Sequence, residues 1–229
     1  RGVIARAGAC SIDIERRAAR MESELTAAAA AQAWILPRAP ITAGPFACVG
    51  RSQPGGYLGG DFFDAQVLLD GRLAVSLGDV SGHDAAASVL MTAAQGFLHA
   101  SLFHQGDLRH AIASLNTFIH ARCTQEKFVT LWTGIFDPQQ MSLTYLDAGH
   151  GLAFLVKPDK SLQPLDQGGG PPIGIDSAST YELASIQLSP HDQVLVLSDG
   201  IIEQFAADPS PDGELRQFGR TGVQSALQS

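Results

Sequence analysis

The sequence has few cysteines, no basic run and no charged-then-apolar signal layout near its first residues, and each absence argues against a class of function. Cys10, Cys48 and Cys123 are odd in number and far apart, so they predict neither a disulfide framework nor a cysteine metal site. The 15 basic and 23 acidic residues give a net charge of −8, which argues against nucleic acid as a partner. No run looks apolar and long enough to cross a bilayer. We therefore expect a cytoplasmic protein with no membrane partner.

A helical segment precedes the main domain. With 229 residues, the chain fits one sizeable domain plus an appendage. Residues 11–36 are rich in Ala, Glu and Arg and end at Pro37, which predicts an N-terminal linker helix and divides the chain into 1–37 and 38–229. Apolar positions recur at heptad spacing: Ile14, Ala18, Met21, Leu25, Ala28, Gln32 and Ile35. This pattern is compatible with a homodimer formed through the helix, or with a helix that packs on its own domain.

The rest of the chain predicts strands around a central pair of helices. We expect a linker over 37–45, and helices over 85–103 and 108–122 that begin after the N-cap residues Asp84 and Asp107. Short runs bounded by turn residues predict strands over 46–51, 128–136, 142–147, 152–156, 182–188 and 193–198. This order indicates an α+β fold in which sheets pack against helices.

Two alternating apolar runs flank Asp70-Gly71 and predict a β-hairpin. A three-residue loop of residues 69–71, with Gly71 in the left-handed conformation, pairs apolar residues with apolar ones. The same register sets Asp61 opposite Asp79. Two carboxylates at opposed positions repel each other unless a proton or cation lies between them, so we expect a divalent metal there. The alternative is that the hairpin frays before it reaches them.

A third carboxylate and an anion-binding turn are predicted at the same place. The apolar run 194–197 reads as a strand buried on both faces, and it leads into Asp199. Residues 80–84 form a tight turn into a helix, whose N–H groups would favour an anion. Aspartates around two Mg²⁺ or Mn²⁺ ions suit hydrolysis of a phosphate ester.

Four ordered motifs resemble those of the metal-dependent (PPM) serine/threonine protein phosphatases, in their bacterial SpoIIE-type branch. The motifs are GGDFFD at 59–64, GDVSGH at 78–83, AGH at 148–150 and SDGIIE at 198–203. The resemblance spans roughly residues 27–219, and residues 32–37 look like the regulatory linker of that branch.

The resemblance implies an αββα sandwich, two antiparallel sheets flanked by helices, with a binuclear Mn²⁺ or Mg²⁺ centre. Asp61 and Asp79 would be bridging ligands, Val80 a carbonyl donor and Asp199 a ligand from the second half, so that Asp61, Asp79 and Asp199 carry catalysis. The substrate would be a phosphoserine or phosphothreonine regulatory protein, such as an anti-sigma-factor antagonist in partner switching. An upstream sensor or receiver domain would act through the helical linker.

Some positions depart from the family pattern or stay open. The branch supplies a further metal-binding Asp near its final strand, and no carboxylate follows Gly219. We therefore expect either that domain 38–229 is truncated at its C-terminus or that the second metal is weakly held. We interpret His83 and His150 as structural, with substrate contact as the alternative for each. Asp64 is expected to bond locally, while Glu203 would support the turn after Asp199.

Two other functions remain as alternatives. The first is a non-catalytic adaptor that keeps the phosphatase fold and binds a regulator. The absence of the C-terminal carboxylate supports this alternative. A diguanylate cyclase carries a similar Gly-Gly-acidic signature, but there the signature is itself the hairpin turn, whereas here Asp70-Gly71 supplies that turn. The phosphatase reading is therefore favoured.

Overall fold

A computed structural model describes residues 2–53, 55–82, 84–123, 127–205 and 217–228, with side chains from Asp13 onward. The helices are α1 (Gly2–Ile35), α2 (Ala85–Gln105), α3 (Leu108–Arg122), α4 (Asp199–Ile202) and α5 (Gly219–Gln228). The strands are β1 (Ile41–Ala43), β2 (Phe46–Cys48), β3 (Asp61–Val67), β4 (Leu73–Val80), β5 (Val129–Asp137), β6 (Ser142–Ala148), β7 (Ala153–Val156), β8 (Leu162–Pro164), β9 (Ala184–Gln187) and β10 (Gln193–Val196).

The β3–β4 hairpin has the predicted register. Val67 pairs with Leu73 at the loop end, and Asp61 pairs with Asp79 at the other end. Gly71 has a φ of 87°, the left-handed conformation that favours glycine. The loop closes because the Leu68 N–H donates to the Arg72 carbonyl at 2.8 Å. Local turn chemistry and apolar alternation are thus sufficient to place the two carboxylates opposite each other.

A five-stranded antiparallel sheet, in the order β3-β4-β5-β6-β9, forms the centre of the molecule. Helices α2 and α3 cover one face of this sheet, and their apolar side chains form one core with it. Both helices begin where predicted, because the side chains of Asp84 and Asp107 accept hydrogen bonds from the first-turn N–H groups.

The opposite face packs on a smaller sheet in the order β10-β7-β8. Trp132, Leu143 and Leu155 belong to this second core. On the outer side of the smaller sheet, the guanidinium of Arg220 in α5 lies 5.4 Å from the centre of the Phe154 ring. The described layers are therefore helix, sheet, sheet, helix, and the predicted α+β sandwich is confirmed.

Several expectations about individual elements are wrong. The segment 194–197 is only partly buried and lies mostly in β10, at an edge of its sheet, so it is not a central strand buried on both faces. Part of the expected linker 37–45 forms β1, which pairs with β2. Strand β8 was not expected, since it has only three residues and contains Pro164. Helix α1 begins at Gly2 rather than near residue 11.

The expectation that no segment is long and apolar enough to cross a bilayer is wrong for one helix. By length and composition alone, helix α2 (Ala85–Gln105) could span a bilayer, with a mean hydropathy of 1.3 over its most apolar window. In the structure α2 is the helix that packs on the central sheet, and side chains such as Met91, Leu98 and Leu102 are buried there. One side of α2 therefore lies in the core, with 39% of that apolar window buried.

The heptad positions of α1 have two different environments. Ile14 and Met21 are exposed, whereas Gln32 is buried against the loop before β3. The Ile35 carbonyl accepts a hydrogen bond of 3.3 Å from Gln95 of α2. The C-terminal part of α1 thus packs on its own domain, as one of the two sequence interpretations expected.

Candidate metal centre

Three carboxylates from distant parts of the chain meet between the two sheets. Asp61 begins β3, Asp79 lies next to the end of β4, and Asp199 begins α4 just after β10. One oxygen from each side chain lies within 4.8 Å of the others. The structure therefore brings together the three acidic residues singled out from the sequence.

Burial and the mutual repulsion of the carboxylates in this cluster perturb the pKa of Asp79. Partial burial, the neighbouring charge of Asp61, a hydrogen bond with Asp61 and the charge of Asp199 together raise the pKa of Asp79 to about 7, and burial is the largest cause. The main chain of Val80 donates a hydrogen bond that opposes this rise. In the absence of a cation, the cluster thus holds a proton near neutral pH that an isolated aspartate would have lost.

The backbone beside the carboxylates comes unusually close to them. A β-carbon on Gly60 would lie 2.7 Å from the Val80 carbonyl oxygen and 3.0 Å from Asp79 Oδ1. The Val80 N–H donates to the Gly60 carbonyl at 3.2 Å, which ties the two strands together at this point. Glycine at position 60 therefore allows a main-chain carbonyl and a carboxylate to share one small region, a feature that the sequence interpretation did not use.

A cavity of about 280 Å³ opens beside Asp79 and Asp199. Its other walls include Ser81, Thr130 and His150. The cavity is large enough for a phosphoryl group with several waters, and it reaches two of the three clustered carboxylates. Thr130 has no motif around it in the sequence, and its place here follows only from the β4–β5 pairing that sets it opposite Asp79.

The turn after Asp79 is fixed mainly by its own contacts. The Ser81 N–H donates to the Phe128 carbonyl at 3.0 Å, and Asp84 Oδ1 accepts from the Ala87 N–H at 2.8 Å. Lys127 donates to the Ser81 carbonyl at 3.0 Å and to Asp84 at 3.1 Å. Those two N–H groups are therefore already bonded, which weakens the predicted anion-binding turn. His83 lies outside the described residues.

His150 lies at the cavity wall, and hydrogen bonds to Asp147 hold its backbone in place. The Asp147 carboxylate accepts from the His150 N–H at 2.6 Å and from the Gly151 N–H at 2.8 Å. Burial lowers the pKa of His150, while the charge of Asp147 opposes that effect. Its ring Nε2 is buried and has no hydrogen-bond partner among the described residues.

Two further acidic motif residues lie outside the cluster. Asp64 Oδ2 lies 2.8 Å from Nδ1 of His99 in α2, a longer-range contact than the local bond expected. Glu203 caps α4 through its N–H, which donates to the Asp199 carbonyl at 2.8 Å. The Asp64 contact ties β3 to α2, and the Glu203 contact supports the turn after Asp199.

The donor set fits a hard divalent cation. Carboxylate and carbonyl oxygens are the preferred ligands of Mg²⁺ and Mn²⁺. The three aspartates supply charge that is poorly compensated within the described residues around them, as the raised pKa of Asp79 indicates. The sandwich fold and this acidic cluster together match the metal-dependent phosphatase class that the sequence motifs indicated.

Comparisons with known proteins agree with this class. The family model described as Stage II sporulation protein E (SpoIIE) matches residues 69–227, more than half of the chain. Stage II sporulation protein E of Bacillus subtilis (strain 168) is 30% identical over 152 residues, which cover 66% of this chain and 18% of that protein. The chain therefore belongs to the SpoIIE family, the branch of the PPM phosphatases recognised from its motifs.

Two solved structures are also similar. The PP2C phosphatase domain of SpoIIE from Bacillus subtilis, solved with a fragment of its regulatory domain, is 27% identical, with a TM-score of 0.58 over 72% of this chain and 45% of that chain. The RsbU and RsbW domains of Rv1364c from Mycobacterium tuberculosis are 29% identical, with a TM-score of 0.60 over 69% and 43%. This chain thus spans less than half the length of each of these relatives.

Proposed function

We propose that this protein is a metal-dependent phosphatase that hydrolyses phosphoserine or phosphothreonine on a regulatory protein. The observation that carries the proposal is the convergence of Asp61, Asp79 and Asp199 beside a cavity of about 280 Å³. Membership of the SpoIIE family supports the same reaction class. A cytoplasmic location fits a signalling role of this kind.

Asp61, Asp79, Asp199 and the Val80 carbonyl would hold two Mn²⁺ or Mg²⁺ ions. When bound, such ions supply an activated water and neutralise the phosphoryl charge. The protein's own contribution is positional: the paired strands β3 and β4 fix Asp61 and Asp79, and Gly60 leaves room for the Val80 carbonyl. Asp199, at the end of a strand in the other sheet, completes the cluster from the opposite side.

The cavity walls would orient the phosphorylated side chain. Ser81 and Thr130 offer hydroxyl groups at the wall, and partial burial between two sheets reduces the access of bulk water. A partly dry, preorganised site strengthens the electrostatic contacts that form as charge develops on the phosphoryl oxygens.

Regulation would reach the site through α1, which we assign as the linker segment 1–37 in front of domain 38–229. The Gln32 amide donates to the Gly59 carbonyl at 2.8 Å and accepts from the Gly59 N–H at 3.1 Å. Because Gly59 lies two residues before Asp61, a movement of α1 would shift the position of Asp61, one of the proposed metal ligands. An upstream sensor or receiver domain, or pairing of two α1 helices in a homodimer, would act on this contact.

The partners would belong to a partner-switching system. The similar solved chain from Mycobacterium tuberculosis joins RsbU and RsbW domains, which supports a phosphorylated regulator, such as an anti-sigma-factor antagonist, as the substrate.

Phosphate release from a phosphoserine peptide in Mn²⁺ tests the proposal. The complete gene product should hydrolyse the peptide, and Asp79→Asn should reduce kcat by at least about a hundredfold because one of the residues that would hold the metal loses its charge. Asp159→Asn, which alters an exposed aspartate in the turn before β8, is the matched control and should keep full activity. Full activity of Asp79→Asn would refute the assignment.

A further inference from the structure

A second cavity lies on the outer face of α2 and α3. This α2/α3 groove has a volume of about 620 Å³, and small residues of α2, including Ala85, Ala86 and Ala93, form much of its floor. Phe118 of α3 lines it and is stacked on Phe97 of α2, with ring centres 4.9 Å apart. Small residues and a fixed aromatic ring leave room for a few apolar side chains from another protein segment.

The charge of this face differs from that of the whole protein. The chain has 23 acidic residues and a net charge of −8, yet neither α2 nor α3 contains an aspartate or a glutamate. Arg122 and Lys127 line the groove; Lys127 pairs with Asp84 at 3.1 Å, whereas Arg122 lies over the Phe118 ring and has no carboxylate partner among the described residues. Complementarity therefore favours an occupant that is both apolar and acidic.

The groove adjoins the candidate metal centre. Lys127 lines the groove, and its ammonium group donates to the Ser81 carbonyl at 3.0 Å. Ser81 in turn lines the cavity that contains Asp79 and Asp199. A protein whose phosphorylated residue enters the cavity would thus have neighbouring surface in reach of the groove.

We propose that the α2/α3 groove docks an apolar segment of the phosphoprotein substrate that is flanked by acidic residues. The proposal rests on the phosphatase function proposed above. Three carboxylates and their ions would recognise a phosphoryl group but not the protein that carries it, so selectivity requires contacts elsewhere. Amphipathic segments dock in apolar grooves through side chains at helical spacing, and charges at the rim set orientation and register.

Two synthetic phosphoserine peptides test the docking. One carries a tail with leucines at helical spacing between glutamates, and the other carries the same residues in scrambled order. With the complete gene product in Mn²⁺, we expect the patterned peptide to have a KM about tenfold lower, with a similar kcat. Equal KM values for the two peptides would overturn the proposal.

Matched variants localise the effect. Val89 lines the groove and is 71% exposed, and Val89→Glu should raise the KM of the patterned peptide to that of the scrambled one because a charge opposes its acidic tail. Leu69 is 73% exposed in the β3–β4 loop, and Leu69→Glu should leave both KM values unchanged. Arg122→Glu should instead favour a patterned tail with lysines in place of glutamates.

The failures are distinguishable. If neither peptide is hydrolysed, the proposed function fails, but fluorescence anisotropy of the labelled, unphosphorylated tails still tests the groove. Binding of the patterned tail that is lost in Val89→Glu supports docking. Absence of binding overturns the docking proposal. If Val89→Glu converts a dimer to a monomer in sedimentation, the groove is an interface between two copies, which also overturns the proposal.

Discussion

Replacement of Asp79 by asparagine is expected to stabilise the protein when no divalent cation is bound. In the metal-free cluster, the pKa of Asp79 is raised from 3.8 to about 7 by burial and by the charges of Asp61 and Asp199. The folded protein therefore retains a proton that the unfolded chain releases. The stability linked to this proton is complete below about pH 4 and is lost as the pH rises through about 7.

The size of the effect follows from the same shift. Without solvent screening it corresponds to about 4 kcal/mol, since each pKa step is worth about 1.4 kcal/mol. Asp79 is only partly buried, so we expect a penalty of about 1–2 kcal/mol at pH 8. Asparagine removes the charge and keeps the shape, and it should recover most of that free energy.

Urea denaturation in EDTA at pH 5 and pH 8 measures this prediction. The wild type should be less stable at pH 8 than at pH 5, and the difference should shrink in Asp79→Asn while it persists in Asp159→Asn. Added Mn²⁺ should stabilise the wild type at pH 8 and have little effect on Asp79→Asn. An Asp79→Asn protein that is less stable than the wild type in EDTA at pH 8 would refute the electrostatic reasoning.

Three further predictions concern the surroundings of the centre. Gly60→Ala should weaken Mn²⁺ binding at least about tenfold by calorimetry, because its β-carbon would collide with the Val80 carbonyl; unchanged affinity would contradict this. Gln32→Ala should lower the free energy of opening the C-terminal end of α1 by about 1–3 kcal/mol, because both hydrogen bonds to Gly59 are lost. Amide hydrogen exchange should become faster there, and unaltered exchange would contradict the prediction. Asp84→Ala should cost about 1 kcal/mol in urea denaturation through the lost N-cap of α2, and an unchanged midpoint would contradict that.

Local signals explain how much of the centre could be predicted. The register that sets Asp61 opposite Asp79 depends on the Asp70-Gly71 turn and on side-chain alternation, which are both readable in a short window. Asp199 was expected near them from its place at a strand end and from the family motif. The packing of two sheets that brings it within reach is long-range and has no local signal.

The contacts that sequence reasoning missed join distant residues. Gln32 and Gly59 are 27 positions apart, and nothing in the heptad pattern of α1 distinguishes a glutamine that packs on its own domain from one in a coiled coil. The apolar run 194–197 was expected to be buried on both faces because of its hydropathy, but hydropathy alone does not determine burial. Neighbouring strands decide it, and in the described residues β10 has only one.

Calorimetric titration of Mn²⁺ into the metal-free protein tests the central claim most directly. We predict binding that weakens at least about tenfold when any one of Asp61, Asp79 or Asp199 is replaced by asparagine, with release of a proton near pH 6.5 in the wild type. Absence of binding, or equal binding by the triple asparagine variant, would contradict a metal centre built from these three carboxylates.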